Sequence, residues 1–458
     1  MSPGLMTDLY HPDAAYVSWK SGVNGDTTFD LYVRSAPFGG AFLLVAGIEM
    51  ALEFVRTFQY SEDDLAYLAQ VRGYEPGFLQ TLRDLRFSGE VAAMSEGSVA
   101  FPNEPFMRVT APFRESILLE SGLLQAVGPA TLIATKAARV VHAARGRPVA
   151  EFGLRRAQAP LVATRAAAIG GCVSTSFLAA AKRYDLPPSG TIPHALVQLF
   201  DSEAEGFRAV AESFDRYTLL LDTYDVLRAI HTAVEVARDV QERMGHTLDA
   251  VRLDSGDVAA DARAVRVVLD NAGLTSVRIL ASGDLDEFTV AALVESGAPI
   301  DSFGVGTSIA VGAGNPSRNI PGAALGTVYK EVWSEGGRHT AKVKVAGDKS
   351  TWPGRKQVYR IGAFEEDVIA LDTESPPARG RPQLRTMIRD GGLLPNSTPP
   401  LAEVIATART NLEALPERYR DLNPPEPYPV RFSDALVELR RQTIGQYRPN
   451  RVGLPASS

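Results

Sequence analysis

The chain has 458 residues, 45% of them apolar and 22% charged, with a formal net charge of −7 and one cysteine. Such a length sustains a large core in two or three domains, and the net acidity excludes a general nucleic-acid or anionic-membrane binder, which needs clustered Lys and Arg. The lone Cys172 excludes an internal disulfide or a cysteine-cluster metal site and suits a reducing cytoplasm, the expected location.

The N-terminal stretch MSPGLMTDLYHPD has no basic or long apolar segment, so no signal peptide is expected, and no apolar run reaches membrane-spanning length. From Phe29 to Pro37 the sequence alternates like a strand, and AFLLVAGIEMALEFVRTF after it runs into a helical pattern. Further β-like segments at Glu90–Ala100 and Phe106–Thr110, broken by prolines, predict a mixed α/β domain over residues 1–130. TLIATKAARVVH, from Thr131 to His142, has helical spacing and leads through a turn into the strand-like VAEFGLRRA.

A rhythm of short apolar run, polar turn and helix follows. YTLLLDTYD (Tyr217–Asp225), DAVRLDSGD (Asp249–Asp257) and VRILASGDLD (Val277–Asp286) each precede a helical stretch, and a fourth apolar run begins at Ile300. Strands of this length alternating with helices indicate parallel β/α units. Their polar strand ends lie where a parallel barrel carries its site, which predicts an irregular β/α barrel over residues 131–320. Beyond it, LGTVYKEV, HTAKVKVAG and KQVYRIG alternate like antiparallel strands, and EVIATARTNLEAL and SDALVELRRQTIGQ read as helices. Residues 321–458 are therefore expected to pack back on the N-terminal domain.

The chemistry-bearing residues gather at the ends of those apolar runs. Asp222, Asp225, Asp254, Asp257 and Asp284 fall in three consecutive units; converging carboxylates suit Mg²⁺ or a ribose diol, although Asp is also a preferred helix N-cap. Arg252, two residues before Asp254, shares its strand face and is placed to pair with it or with an anion. The turns Ser282–Gly283–Asp284 and Gly304–Val305–Gly306–Thr307 follow strands and offer backbone N–H groups to phosphate. Arg155, Lys342, Lys344, Lys349 and Lys356 are further basic candidates, and Tyr10 and Phe152 offer aromatic faces. His194, in SGTIPHALVQLF, stands between a flexible turn and an apolar run, so its imidazole nitrogen is a candidate nucleophile toward phosphorus. Carboxylates, phosphate turns and this histidine together imply a phosphorylated sugar substrate.

These segments resemble those of the nicotinate phosphoribosyltransferases over nearly the whole chain. The shared motifs run in order: TDLY, FDLYVRSAPFGGAF with VAGIE, TLIATKAARV, FGLRRAQ, GTIPH, LLLDTYD, VRLDSGD, GVGTS, LGTVYK and KSTWPGRKQVYR. The resemblance implies a cytoplasmic enzyme of NAD salvage that joins nicotinate to phosphoribosyl pyrophosphate with Mg²⁺. The resemblance further implies that ATP hydrolysis is coupled to the transfer through a phosphohistidine at His194. It implies Asp222 and Asp254 around ribose and Mg²⁺, Arg252 on the ring substituent, and Phe152 on one ring face with Tyr10 supplied by the second subunit of a homodimer. Arg155, Ser176 and Thr191 join the substrate candidates, and Ser282, Gly283, Gly304, Gly306 and Thr307 those for the 5′-phosphate. Arg34, Lys330, Lys344 and Lys349 resemble residues that reach pyrophosphate across the dimer.

Three stretches depart from the pattern. HPDAAYVSW follows TDLY, Pro193 and Ala195 flank the histidine, and APLVATRAAA follows RRAQ without glycines. The same residues also suit a relative using nicotinamide or another pyridine, or an inactive nucleotide-binding homologue. The amide-using enzymes carry an acidic residue in the segment where this chain has Ser174, Thr175 and Ser176.

Overall fold

The structure, a computed structural model, describes residues 2–322, 324–335, 340–345, 350–423 and 425–447. The chain divides into two compact units, Met1–Leu132 with Ala324–Ser458, and Ile133–Ala323.

In the first unit the strand Asp26–Val33 lies between Thr327–Ser334 and Met107–Pro112, antiparallel to both. The sheet continues through Glu90–Ala93 to Arg385–Arg389 and Gly392–Leu393. Seven of the eight residues in Asp26–Val33 are buried, which is why FDLYV reads as a nearly continuous apolar run. The helix Ile48–Thr57 buries Ile48, Ala51, Leu52 and Val55, the spacing of a single helical face. Its N-cap is Gly47, at φ +88°, where a Cβ would stand 2.2 Å from the Ala126 carbonyl oxygen, so only glycine admits this approach. Lys356–Ile361 pairs with Gly380–Pro382 and Glu366–Leu371, and Val430–Phe432 completes that second sheet. The strand predicted over HTAKVKVAG is a correction: among its described residues only Ala341 bridges, to Trp333.

The second unit holds a six-stranded, all-parallel sheet. Its order is Ser174–Thr175, Val149–Glu151, Ser302–Val305, Arg278–Ala281, Thr247–Leu253 and Arg216–Leu220. The sheet curls into a half-barrel, with Ser174–Thr175 and Arg216–Leu220 as its edges. Each predicted β/α unit is present, with helices Val226–Met244, Val258–Asn271 and Glu287–Glu295 after their strands. Asp225, Asp257 and Asp286 cap these helices through side-chain oxygens that accept backbone N–H groups. Glu287 pairs with Lys136 at 2.7 Å and Arg139 at 3.1 Å, all three buried, which fastens the helix Glu120–Ala143 to Glu287–Glu295.

Candidate active site

The site grows from register. Arg252 is opposite Leu220 on one side and Leu280 on the other, so Asp222, Asp254 and Ser282 emerge together at three neighbouring C-terminal ends. Alternation along the strand puts Arg252 and Asp254 on one face, as their spacing predicts. Arg252 is held at three points: Nε donates to Ser282 Oγ at 2.7 Å, Nη1 to Thr191 Oγ1 at 2.8 Å and Nη2 to Asp254 Oδ1 at 2.5 Å. Ser282 Oγ also donates to Asp254 Oδ1 at 2.6 Å, and its N–H is used by the Leu253 carbonyl. Ser282 thus fixes its neighbours Arg252 and Asp254.

Burial alone would raise the Asp254 carboxyl; the Ser282 hydrogen bond, the Arg252 charge and nearby His194 outweigh it and hold Asp254 below the usual carboxylate range. It is therefore ionised at neutral pH. Asp222 Oδ2 accepts the Asp254 N–H at 3.2 Å and the Ser255 hydroxyl, which leaves Oδ1 buried with no hydrogen-bond partner. A carboxylate oxygen left in that state suits a cation or a sugar hydroxyl. No group of three or more His, Cys, Asp or Glu side chains that could hold a metal ion occurs among the described residues. The unpartnered Asp222 oxygen beside Asp254 is the kind of oxygen donor Mg²⁺ takes, one or two carboxylates together with waters and substrate phosphate.

His194 opens the four-residue helix His194–Val197, with Pro193 as extended N-cap. Proline's fixed φ and missing N–H suit that junction. The imidazole is 41% exposed, with Nδ1 3.2 Å from Thr223 Oγ1 and Nε2 facing Asp254 Oδ2 at 4.0 Å. One nitrogen is oriented and the other stands open beside a carboxylate.

Phe152 follows the strand Val149–Glu151, and its N–H donates to the Val305 carbonyl at 2.9 Å. A Cβ on Gly304 would be 2.4 Å from the Phe152 ring, and one on Gly306 would be 3.1 Å from the Phe152 carbonyl oxygen. Those glycines admit the ring and its backbone, and Gly306 also caps the short helix that Thr307 begins. Gly283, at φ +107°, brings its turn against the Asp254 carbonyl. Arg155 is exposed in the turn after Phe152. The Ser176 N–H donates to the Glu151 carbonyl at 3.0 Å.

Sequence reasoning missed Glu151. It is 1% exposed, accepts hydroxyl hydrogen bonds from Thr164 at 3.1 Å and Thr175 at 2.7 Å, and accepts the Gly153 N–H. This carboxylate locks the Phe152 turn to two other elements and is committed inside the fold. A charged residue closing the apolar run VAE was the available signal.

In the other unit, HPDAAYVSW forms the helix Tyr10–Lys20, with Tyr10 at its first position and 57% exposed. Tyr10 borders a groove of about 680 Å³ shared with Asp13, Val17, Phe113 and Glu331. Arg34 lies just past the strand Asp26–Val33, Lys344 is exposed, and Lys330 Nζ is 3.8 Å from Glu120. Lys349 lies outside the described residues. Lys356 is buried against Asp30 at 2.8 Å and donates to the Trp352 and Gly354 carbonyls, so it is part of the scaffold.

Residues 5–128 match the family model of the nicotinate phosphoribosyltransferase N-terminal domain, 133–312 that of the quinolinate phosphoribosyl transferase C-terminal domain, and 378–440 that of the nicotinate phosphoribosyltransferase C-terminal domain. The chain is 39% identical to nicotinate phosphoribosyltransferase pncB2 of Mycobacterium tuberculosis over 447 residues, covering 95% of this chain and 93% of that one. It is 37% identical to the nicotinate phosphoribosyltransferase of Bacillus subtilis, covering 98% and 96%. The crystal structure of human nicotinic acid phosphoribosyltransferase superposes with a TM-score of 0.84 at 29% identity, covering 96% of this chain and all of that one. The chain belongs to the nicotinate phosphoribosyltransferase family.

Proposed function

We propose that the chain transfers the phosphoribosyl group of phosphoribosyl pyrophosphate to the ring nitrogen of nicotinate, giving nicotinate mononucleotide and pyrophosphate for NAD salvage. The observation that carries this reading is the fastened cluster of Arg252, Asp254 and Asp222 on adjacent parallel strand ends, with His194 beside Asp254. Arg252 uses three of its five N–H donors internally, one from each nitrogen. One N–H remains on each terminal nitrogen, the planar pair that a carboxylate takes bidentately and a carboxamide matches poorly. Glu151, the acidic residue near Ser174–Ser176, is enclosed and occupied, which also favours nicotinate over nicotinamide.

Phe152 covers one face of the pyridine, and Tyr10 of a second copy in a homodimer covers the other. Asp254, ionised at neutral pH, and Asp222 face the anomeric carbon as its bond to pyrophosphate breaks with oxocarbenium character. The pyridine nitrogen carries no proton at neutral pH, so no general base is required. Asp222 and Asp254 would hold Mg²⁺, which when bound offsets charge on leaving pyrophosphate. The N–H groups around Gly283, Gly304, Gly306 and Thr307 receive the 5′-phosphate, and Arg155 adds positive charge near the ring. Arg34, Lys330, Lys344 and Lys349 neutralise pyrophosphate.

His194 Nε2 attacks the γ-phosphorus of ATP; the nitrogen–phosphorus bond forms as the bond to ADP breaks, a step that requires the tautomer with its proton on Nδ1, 3.2 Å from Thr223 Oγ1. Mass spectrometry for nicotinate mononucleotide, with and without ATP and with nicotinamide as competitor, tests the reading. His194→Ala is expected to abolish ATP stimulation while slow ATP-independent transfer persists. Unchanged ATP dependence would remove the phosphohistidine, and preference for nicotinamide would remove the substrate.

A further inference from the structure

His11 is fully buried although it follows a tyrosine that is 57% exposed. Its Nδ1 is 3.0 Å from Thr7 Oγ1 and 3.5 Å from Ser121 Oγ, and its Nε2 is 3.3 Å from Glu120 Oε2, near enough for an ion pair though off hydrogen-bond alignment. The imidazole centroid lies 4.0 Å from that of the Tyr10 ring, with planes tilted by 50°. The same segment is stapled through its backbone: His11 N–H donates to the Asp8 carbonyl at 3.0 Å, and the Asp8 N–H donates to Ser121 Oγ at 3.2 Å. The other carboxylate oxygen of Glu120 is 3.8 Å from Lys330 Nζ.

From this we infer that His11 is the positioning residue for Tyr10, and that Glu120 links the aromatic ring to the Lys330 ammonium. The inference rests on the reading of Tyr10 as the residue that stacks on bound nicotinate. An exposed tyrosine samples several staggered side-chain orientations; a clamped imidazole against one ring face favours a single one and lowers the entropy lost on stacking. Glu120 divides its charge between His11 and Lys330. A change at Glu120 therefore acts on the ring and on the anion-binding lysine at once.

Steady-state kinetics on the full-length protein test this. His11→Gln should raise the KM for nicotinate about three- to tenfold, the size of one lost aromatic placement, with kcat within about twofold and an unchanged unfolding midpoint. In a Tyr10→Ala background the same substitution should add nothing to the nicotinate KM. Glu120→Gln should also raise the nicotinate KM while lowering the KM for phosphoribosyl pyrophosphate, because Lys330 loses its competing carboxylate; a purely structural role would move both the same way. An unchanged nicotinate KM in folded His11→Gln overturns the proposal, as does a full additional loss in the Tyr10→Ala background. If Tyr10→Ala alone leaves the nicotinate KM unchanged, the stacking role fails first and the proposal falls with it.

Discussion

Two arginine–aspartate pairs, one in each unit, show how the same chemistry takes different fates. Arg360 and Asp367 in the antiparallel unit are almost completely enclosed, 2.6 Å apart, with Tyr428 donating to Asp367 and the Arg360 guanidinium over the Phe364 ring at 4.3 Å. Arg252 and Asp254 in the parallel unit are 2.5 Å apart, yet their side chains keep 19% and 28% exposure. The first pair has no face left for a ligand; the second keeps two N–H groups open. Burial, rather than residue type, separates scaffold from site.

The comparison is broken most severely by removing the anion of the enclosed pair. Asp367→Ala takes from buried Arg360 the carboxylate it holds at 2.6 Å, and denaturant unfolding should show a loss of about 3–5 kcal/mol. A loss below about 1 kcal/mol would mean that water or another anion reaches Arg360. The open pair should answer in kinetics instead. Arg252→Lys keeps the charge and loses the planar fork, so kcat/KM for nicotinate should fall about 100-fold, about 2.7 kcal/mol in transition-state binding, with little change in unfolding. Equal losses in stability and activity would place Arg252 with the scaffold.

Glu151→Gln probes a case between the two. The amide keeps one acceptor but presents N–H groups to donors on its other side, so unfolding free energy should drop by about 1–3 kcal/mol. The KM for nicotinate should rise with it, because the Phe152 turn depends on Glu151. A destabilised variant with wild-type KM would separate Glu151 from the ring pocket.

The last expected effect is a slope with pH. Burial first, then the neighbouring Asp367, pushes the Glu104 carboxyl well above its usual range. A raised carboxyl contributes stability that is fully present below its unfolded value and is lost as pH rises through the folded value. Relative to wild type, Glu104→Gln should therefore gain stability with rising pH between those two values, by up to about 1.4 kcal/mol per pH unit. A pH-independent difference would show that Glu104 is ionised in the fold.

Much of the parallel unit was legible. Short apolar runs closed by Asp, Ser or Gly identify parallel strands because the strand interior is covered and its end is not. The Arg252–Asp254 pair followed from two-residue alternation alone. Asp257 proved to be a helix cap, while Asp286 rather than Asp284 caps the third helix. The antiparallel unit was less legible: Arg385–Arg389 and Val430–Phe432 are strands because distant partners pair with them. The helix Tyr10–Lys20 was also unreadable, since Pro12 sits in its first turn, where the missing N–H costs nothing, and the apolar pattern is weak.

By itself the sequence determined the β/α alternation, the motifs that carry the family and the residues capable of its chemistry, because these depend on local periodicity and residue type. Only the tertiary structure decided which charges are enclosed. Lys356 and Lys344 belong to one basic stretch, yet one is sealed against Asp30 and the other is exposed. It also set Glu151 against the turn of Phe152 and His11 beside the ring of Tyr10. The partners that hold them there, Thr164 and Thr175 for one and Glu120 and Ser121 for the other, are brought near only by folding.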